Sequence, residues 1–153
     1  MTEPARALIA DAGHIADCVG AAYAHYVPRM GKPPGPMLAD YADVVSRHQV
    51  WLVRGADAGV DGVLVLIPQD GHLLLDNIAV HPRRQGSGLG RQLLGLADTE
   101  ARRQGFAELR LYTHVSMTEN VALYRKLGWQ VTGQGVQDGY ERVFMRKPLA
   151  AGG

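Results

Sequence analysis

Residues 78 to 94 read IAVHPRRQGSGLGRQLL. A short apolar run stops at His81-Pro82, two arginines follow, and Gly86, Gly88 and Gly90 lead into a leucine-spaced segment. Each glycine costs a helix roughly 1 kcal/mol relative to alanine, so three of them at a helix start imply a compensating need. The first N–H groups of a helix lack intrahelical partners and its dipole adds partial positive charge, which makes that end a phosphate site. Glycines remove the side chains that would hold a phosphate away, and Arg83, Arg84 and Arg91 bring full positive charge to the same turn. A P-loop would need Gly-Lys-Ser/Thr, whereas Arg91-Gln92 stands there, so an ordinary nucleoside triphosphatase is excluded. A dinucleotide fingerprint needs G-x-G-x-x-G directly after the first strand of a parallel unit. The spacing here is G-x-G-x-G, behind three strands that read as antiparallel, so that reading is weak.

The elements that must position this loop are legible as one continuous mixed pattern. A strand is predicted at 5–10, and Asp11 then caps a helix carrying Ile15, Cys18, Val19, Ala22 and Tyr23, expected to end at 25–27. The Pro/Gly run from Arg29 to Pro36 forbids regular structure, and a second helix follows at 38–47. Strands at 49–54, 62–67 and 72–80, joined by Gly/Asp turns, form an antiparallel meander. Leu89, Leu93, Ala97 and Ala101 recur every fourth residue up to the stop at Gly105, which predicts a helix of about four to five turns. A strand at 108–112 is next, then a capping box, Ser116-x-x-Glu119, opening a helix that ends at Gly128. Strands at 129–132 and 142–147 flank a Gly-rich hairpin.

Composition bounds the function. The 153 residues fit one domain with a real core, and 150–153 are expected to be a disordered tail. With 16 Lys+Arg against 15 Asp+Glu, the formal charge of +1 gives no sign of a nucleic-acid or acidic-membrane surface. Cys18 has no partner for an intrachain disulfide and reads as a small buried hydrophobe in a reducing compartment. No apolar run approaches ~18 residues and the N-terminus lacks a signal-peptide pattern, so a cytoplasmic protein is expected, with no membrane partner. No metal is expected.

Two stretches carry a resemblance. Val80-x-Pro82-x-Arg84-Gln85-Gly86-Ser87-Gly88-Leu89-Gly90-x-x-Leu93-Leu94 resembles the acetyl-CoA loop of the GNAT N-acetyltransferases. Glu119-Asn120-Val121-Ala122-Leu123-Tyr124-Arg125-Lys126-Leu127-Gly128-Trp129 resembles the family's second signature, Leu-Tyr-x-Lys-x-Gly-aromatic. The resemblance implies an α+β fold: a central, mostly antiparallel mixed sheet of about seven strands, splayed open and flanked by about four helices. It places the splay between 72–80 and 108–112, with the pantetheine arm of acetyl-CoA beside Ile78, Ala79 and Val80. The N–H groups from Gln85 through Ser87, Gly88, Leu89 and Gly90 would hold the pyrophosphate, with Arg83, Arg84, Arg91 and Lys126 near the cofactor. An asparagine that relatives use against the pantetheine is replaced by Met117, while Asn120 is the nearest asparagine and a cofactor-contact candidate.

The implied chemistry is attack of an amine on a thioester, which needs a base, an oxyanion donor and an acid for the leaving sulfur. Tyr124 matches the family's tyrosine, suited to protonating the sulfur. The base is open between Asp76, His114 and water, because Tyr112 stands at a position where some relatives carry glutamate. The acceptor wall is expected from Tyr23, Tyr26 and Met30, with Asn77, Tyr112 and Tyr140 as further candidates and Asp40 able to hold a cationic amine. A small or amino-acid-like amine is expected as acceptor. A protein N-terminus, a non-catalytic acyl-CoA-binding module and charged tRNA are the alternatives, and a homodimer is expected from the relatives.

Overall fold

The structure, a computed structural model, describes residues 3–149, and the tail expected at 150–153 lies outside the described residues. Seven strands build one sheet: β1 (Ala5–Arg6), β2 (Gln49–Arg54), β3 (Val60–Gln69), β4 (His72–Val80), β5 (Glu108–His114), β6 (Gln130–Gln137) and β7 (Tyr140–Pro148). Their order across the sheet is β1-β2-β3-β4-β5-β7-β6. Every pairing is antiparallel except β4 with β5. A parallel pair needs a long crossover, and α4 (Leu89–Arg103) supplies it. Hairpins join β2 to β3, β3 to β4 and β6 to β7, the last through Asp138 and Gly139, both at positive φ, as a tight two-residue turn requires.

The β4–β5 seam is short. Only Leu73, Leu74 and Leu75 pair with Leu109, Arg110 and Leu111. At the same point the β3–β4 register slips, with Leu66 opposite Leu75 and Val65 opposite Asn77, so Asp76 is the extra residue of a bulge. Beyond it β4 and β5 diverge, which places the splay where the family resemblance put it.

Burial divides the core by face. Leu64, Leu66, Leu73 and Leu109 of the sheet pack with Leu93 and Ala97 of α4 and with Tyr124 of α5 (Thr118–Lys126). On the opposite face Ile15, Cys18 and Val19 of α1 (Ala12–Tyr23) and Tyr41 of α3 (Tyr41–Arg47) cover only β2, β3 and β4. Leu109 and Leu111 face the helix-covered side, so Tyr112 and His114 of β5, like Arg142 and Phe144 of β7, look out on the other face, half-buried. That uncovered half is where the Pro/Gly connection lies.

Several boundaries depart from the sequence pattern. β1 has two residues rather than six. The first helix does not stop at 25–27 but continues through a tighter turn, Ala24–Tyr26, into α2 (Val27–Met30), because Pro28 fits a first helical turn; Gly31, at φ 74, ends it. The Pro/Gly run contains one turn of 3-10 helix, Gly35–Leu38. The capping box does not form. Ser116 Oγ lies 2.8 Å from His114 Nδ1 and Glu119 binds Arg29 at 2.8 Å, so neither side chain is left to cap α5. β6 runs through Gly133 and Gly135, leaving a tight turn where a Gly-rich hairpin was expected. Among the described residues, no helix is long and apolar enough to cross a membrane.

Candidate active site

The glycine loop links the end of β4 to α4. Gly86 and Gly88 hold φ of 78° and 86°, a left-handed backbone that side chains disfavour. A Cβ at either would meet nothing within 4 Å, so the space before them is open. Within the loop, the Gln85 and Ser87 N–H groups donate to the Pro82 and Arg84 carbonyls, both at 3.2 Å. This corrects the expected cradle, since those two donors are used internally. The first helical bond runs from Gln92 N–H to the Gly88 carbonyl at 3.0 Å, leaving the N–H groups of Gly86, Gly88, Leu89, Gly90 and Arg91 without main-chain partners among the described residues. Four of these donors, on Gly86, Gly88, Leu89 and Gly90, belong to residues that border the open cleft, and together they fit a pyrophosphate.

The arginines divide. Asp61, 3% exposed, takes Arg83 Nε at 2.6 Å and Arg84 Nη1 at 2.9 Å, while Arg83 Nη1 also reaches Asp57 at 3.1 Å. A buried carboxylate needs such partners. Arg83 is thereby turned from the cleft, against expectation, whereas Arg84 still lines it. Ser87, Arg91 and Lys126 are exposed and do not line the cleft.

A cleft of about 520 Å³ runs from this loop along the free edge of β4 to α5. His81 N–H donates to the Asp61 carbonyl across the β3–β4 ladder at 2.8 Å, and strand alternation then turns the main-chain groups of Ile78 and Val80 into the splay. Facing them are Asn120 and Tyr124. Asn120 donates its amide to Met117 Sδ at 3.8 Å. Tyr124 is 7% exposed, its ring 5.9 Å from that of Trp129, and burial holds its hydroxyl above the ordinary tyrosine range. Among the described residues that hydroxyl makes no hydrogen bond, so its proton is available to the cleft.

A narrower cleft of about 60 Å³ opens on the far side of Tyr23, which lines both. Asp76, Tyr112, His114, Tyr140 and Met30 surround it. Tyr112 donates to Asp76 Oδ1 at 2.8 Å; burial, with Asp76 adding to it, pushes the phenol to about 12. Ser116 N–H donates to His114 Nδ1 at 3.1 Å. Since a main-chain N–H only donates, the neutral imidazole keeps its proton on Nε2, and burial keeps its pKa below the usual value. Tyr23 Oη lies 2.9 Å from both Asn77 Oδ1 and the Ile78 carbonyl, and Asn77 donates onward to Tyr41 Oη at 3.1 Å. Asn77 lines an adjoining chamber of about 210 Å³.

Two acceptor candidates, Tyr26 and Asp40, and one candidate base, His114, sit differently from expectation. Tyr26 lines the larger cleft, beside Arg29. Asp40 caps α3, taking the Ala42 N–H at 3.1 Å, and lines neither acceptor space. His114 lies within β5 rather than after it. Sequence reasoning missed Arg142, which borders both acceptor spaces; its only signal was sharing strand parity with Tyr140. Cys18 is buried, and burial pushes its thiol to about 12, so it stays protonated.

The model described as "Acetyltransferase (GNAT) domain" matches residues 46–131. An IAA acetyltransferase of Azospirillum brasilense is 33% identical over 90 residues, covering 58% of this chain and 59% of that protein. The chain thus spans little more than half of that relative. The ribosomal-protein-S18-alanine N-acetyltransferase of Escherichia coli has the same fold, with TM-score 0.78, 23% identity and coverage of 100% of this chain and 97% of that one. PaiA N-acetyltransferase of Thermoplasma acidophilum, solved with coenzyme A, superposes at TM-score 0.78 with 18% identity, covering 97% and 99%.

Proposed function

Because the chain belongs to the GNAT acetyltransferase family, we propose that it moves an acetyl group from acetyl-CoA to the primary amine of a small acceptor. When bound, acetyl-CoA supplies an activated thioester. The orphan N–H groups of Gly86, Gly88, Leu89 and Gly90, with Arg84 beside them, would hold its pyrophosphate. Main-chain groups of Ile78 and Val80 would pair with the pantetheine as an added strand does.

The observation that carries the reading is the meeting of two clefts at Tyr23, with a carboxylate on one side and a protonated phenol on the other. Asp76 is the only carboxylate lining either acceptor space among the described residues, and it takes the proton that the amine sheds as its nitrogen bonds the acyl carbon. Tyr124 gives its proton to the sulfur as the carbon–sulfur bond breaks. His114, with Nδ1 engaged, presents an N–H and serves as a donor rather than the base. The narrowness of the acceptor cleft favours a small amine over a peptide N-terminus.

Calorimetric titration with acetyl-CoA, alongside Gly88→Glu, tests the cofactor half. Binding by the native chain and its loss in the variant supports the reading. A folded native chain that ignores acetyl-CoA overturns it. Amine-dependent release of free thiol tests the transfer half; binding with no release on a broad amine panel would make the chain a binding module.

A further inference from the structure

We infer that the acceptor is a zwitterion: a free amino acid whose amine lies at Asp76 and whose carboxylate is held by Arg142. This rests on the acetyltransferase reading and names the substrate class of that same site. Arg142 lies on the face of β7 that no helix covers and borders both acceptor spaces together with Asp76. Its guanidinium stacks over the Tyr112 ring at 4.0 Å and stands 5.6 Å from the Tyr140 ring. Tyr112 in turn donates to Asp76. One tyrosine side chain therefore separates a fixed anion from a fixed cation, which is the charge layout of an amino acid in reverse.

The cation has no internal purpose that consumes it. Among the described residues no carboxylate pairs with Arg142, whose Nη1 donates to the neutral Gln137 Oε1 at 3.0 Å. The other guanidiniums that line the clefts, Arg29 and Arg84, are already paired with Glu119 and Asp61. Two aromatic rings and one amide leave the Arg142 fork oriented and uncompensated, the condition in which guanidinium binds carboxylate best. Lys32 Nζ lies 4.0 Å from the other neighbour of this group, the Tyr140 ring, so a second cation stands beside a cleft that Asp76 lines. Beside these charges, the adjoining chamber of about 210 Å³ is also lined by Pro36, Ala39, Val44 and Val65, which suit an aliphatic side chain.

The test compares thiol release for free α-, β- and γ-amino acids with release for the carboxamide and the decarboxylated amine of each. The native chain is expected to prefer at least one free acid by about 10- to 100-fold in kcat/KM, the size of a lost charge-assisted contact. Arg142→Gln should collapse that preference chiefly through KM for the acid, and Arg142→Lys should restore part of it. Equal turnover of acid and carboxamide by the native chain overturns the inference without any variant, and leaves the acetyltransferase reading standing. An equal loss for acid and carboxamide in a folded Arg142→Gln also overturns it. Failure to bind acetyl-CoA in calorimetry marks instead the failure of the reading beneath it.

Discussion

Tyr124 keeps its proton far into the alkaline range because burial penalises the phenolate, and this is the property an acid for a leaving sulfur needs. Tyr124→Phe removes a hydroxyl that has no hydrogen-bond partner among the described residues, so kcat should fall by about 10²-fold or more while the melting temperature hardly moves. Steady-state kinetics and calorimetry on one preparation check both. Asp76→Asn should cost about 10²- to 10⁴-fold in kcat, and His114→Asn about tenfold or less, because the basic nitrogen of His114 is already engaged. A His114 variant as poor as the Asp76 variant would reverse the assignment. The single residues were unequally legible in the sequence. Gly86 and Gly88 announced themselves because positive φ and orphan donors are local properties of a few consecutive residues. Arg83 did not, since its partner Asp61 lies on a strand that only the folded sheet brings alongside. Arg142 looked like any outward residue of a strand until the fold left that face uncovered.

Elements anchored by buried charge respond to acid. Glu100, 5% exposed near the end of α4, accepts from Arg103 at 2.8 Å and Gln104 at 3.3 Å, and Arg103 chiefly holds its carboxyl below the usual range of about 4.5. A folded pKa below the unfolded one means that the unfolded chain binds more protons in acid. The stabilisation is therefore complete above about pH 4.5 and fades as pH falls through the folded value. Glu100→Gln should flatten that part of the stability–pH curve in urea titrations between pH 3 and 6. In the loop, Gly86→Ala should cost about 1–3 kcal/mol through backbone strain alone, read as a shifted urea midpoint. At this scale the strands and α4 were readable from their periodicity, which is set by their own residues. Helix ends were not: Glu119 is a sound capping residue by sequence, but Arg29 on α2 captures it, and the chain past Tyr23 keeps winding because Pro28 happens to fit a first turn.

For the molecule as a whole, a ligand that binds only the folded chain raises its stability by mass action. At a hundred times its Kd, acetyl-CoA should add about 2.7 kcal/mol, or about 5–10 °C in melting temperature for a chain of this size. Scanning calorimetry with and without the ligand measures it. The sheet adds a mechanical side to this. Only three residue pairs stitch β4 to β5, so the two halves of the sheet behave as plates on a short hinge pin, with Tyr112 and Asp76 as a single strut across the opening. A molecule lying along β4 acts as a wedge that loads the pin and stiffens both plates. The stiffness of the protein is then a property of its ligand as much as of its chain, and slower amide exchange at Leu75 and Leu111, the last pair of the seam, would register each filling of the notch.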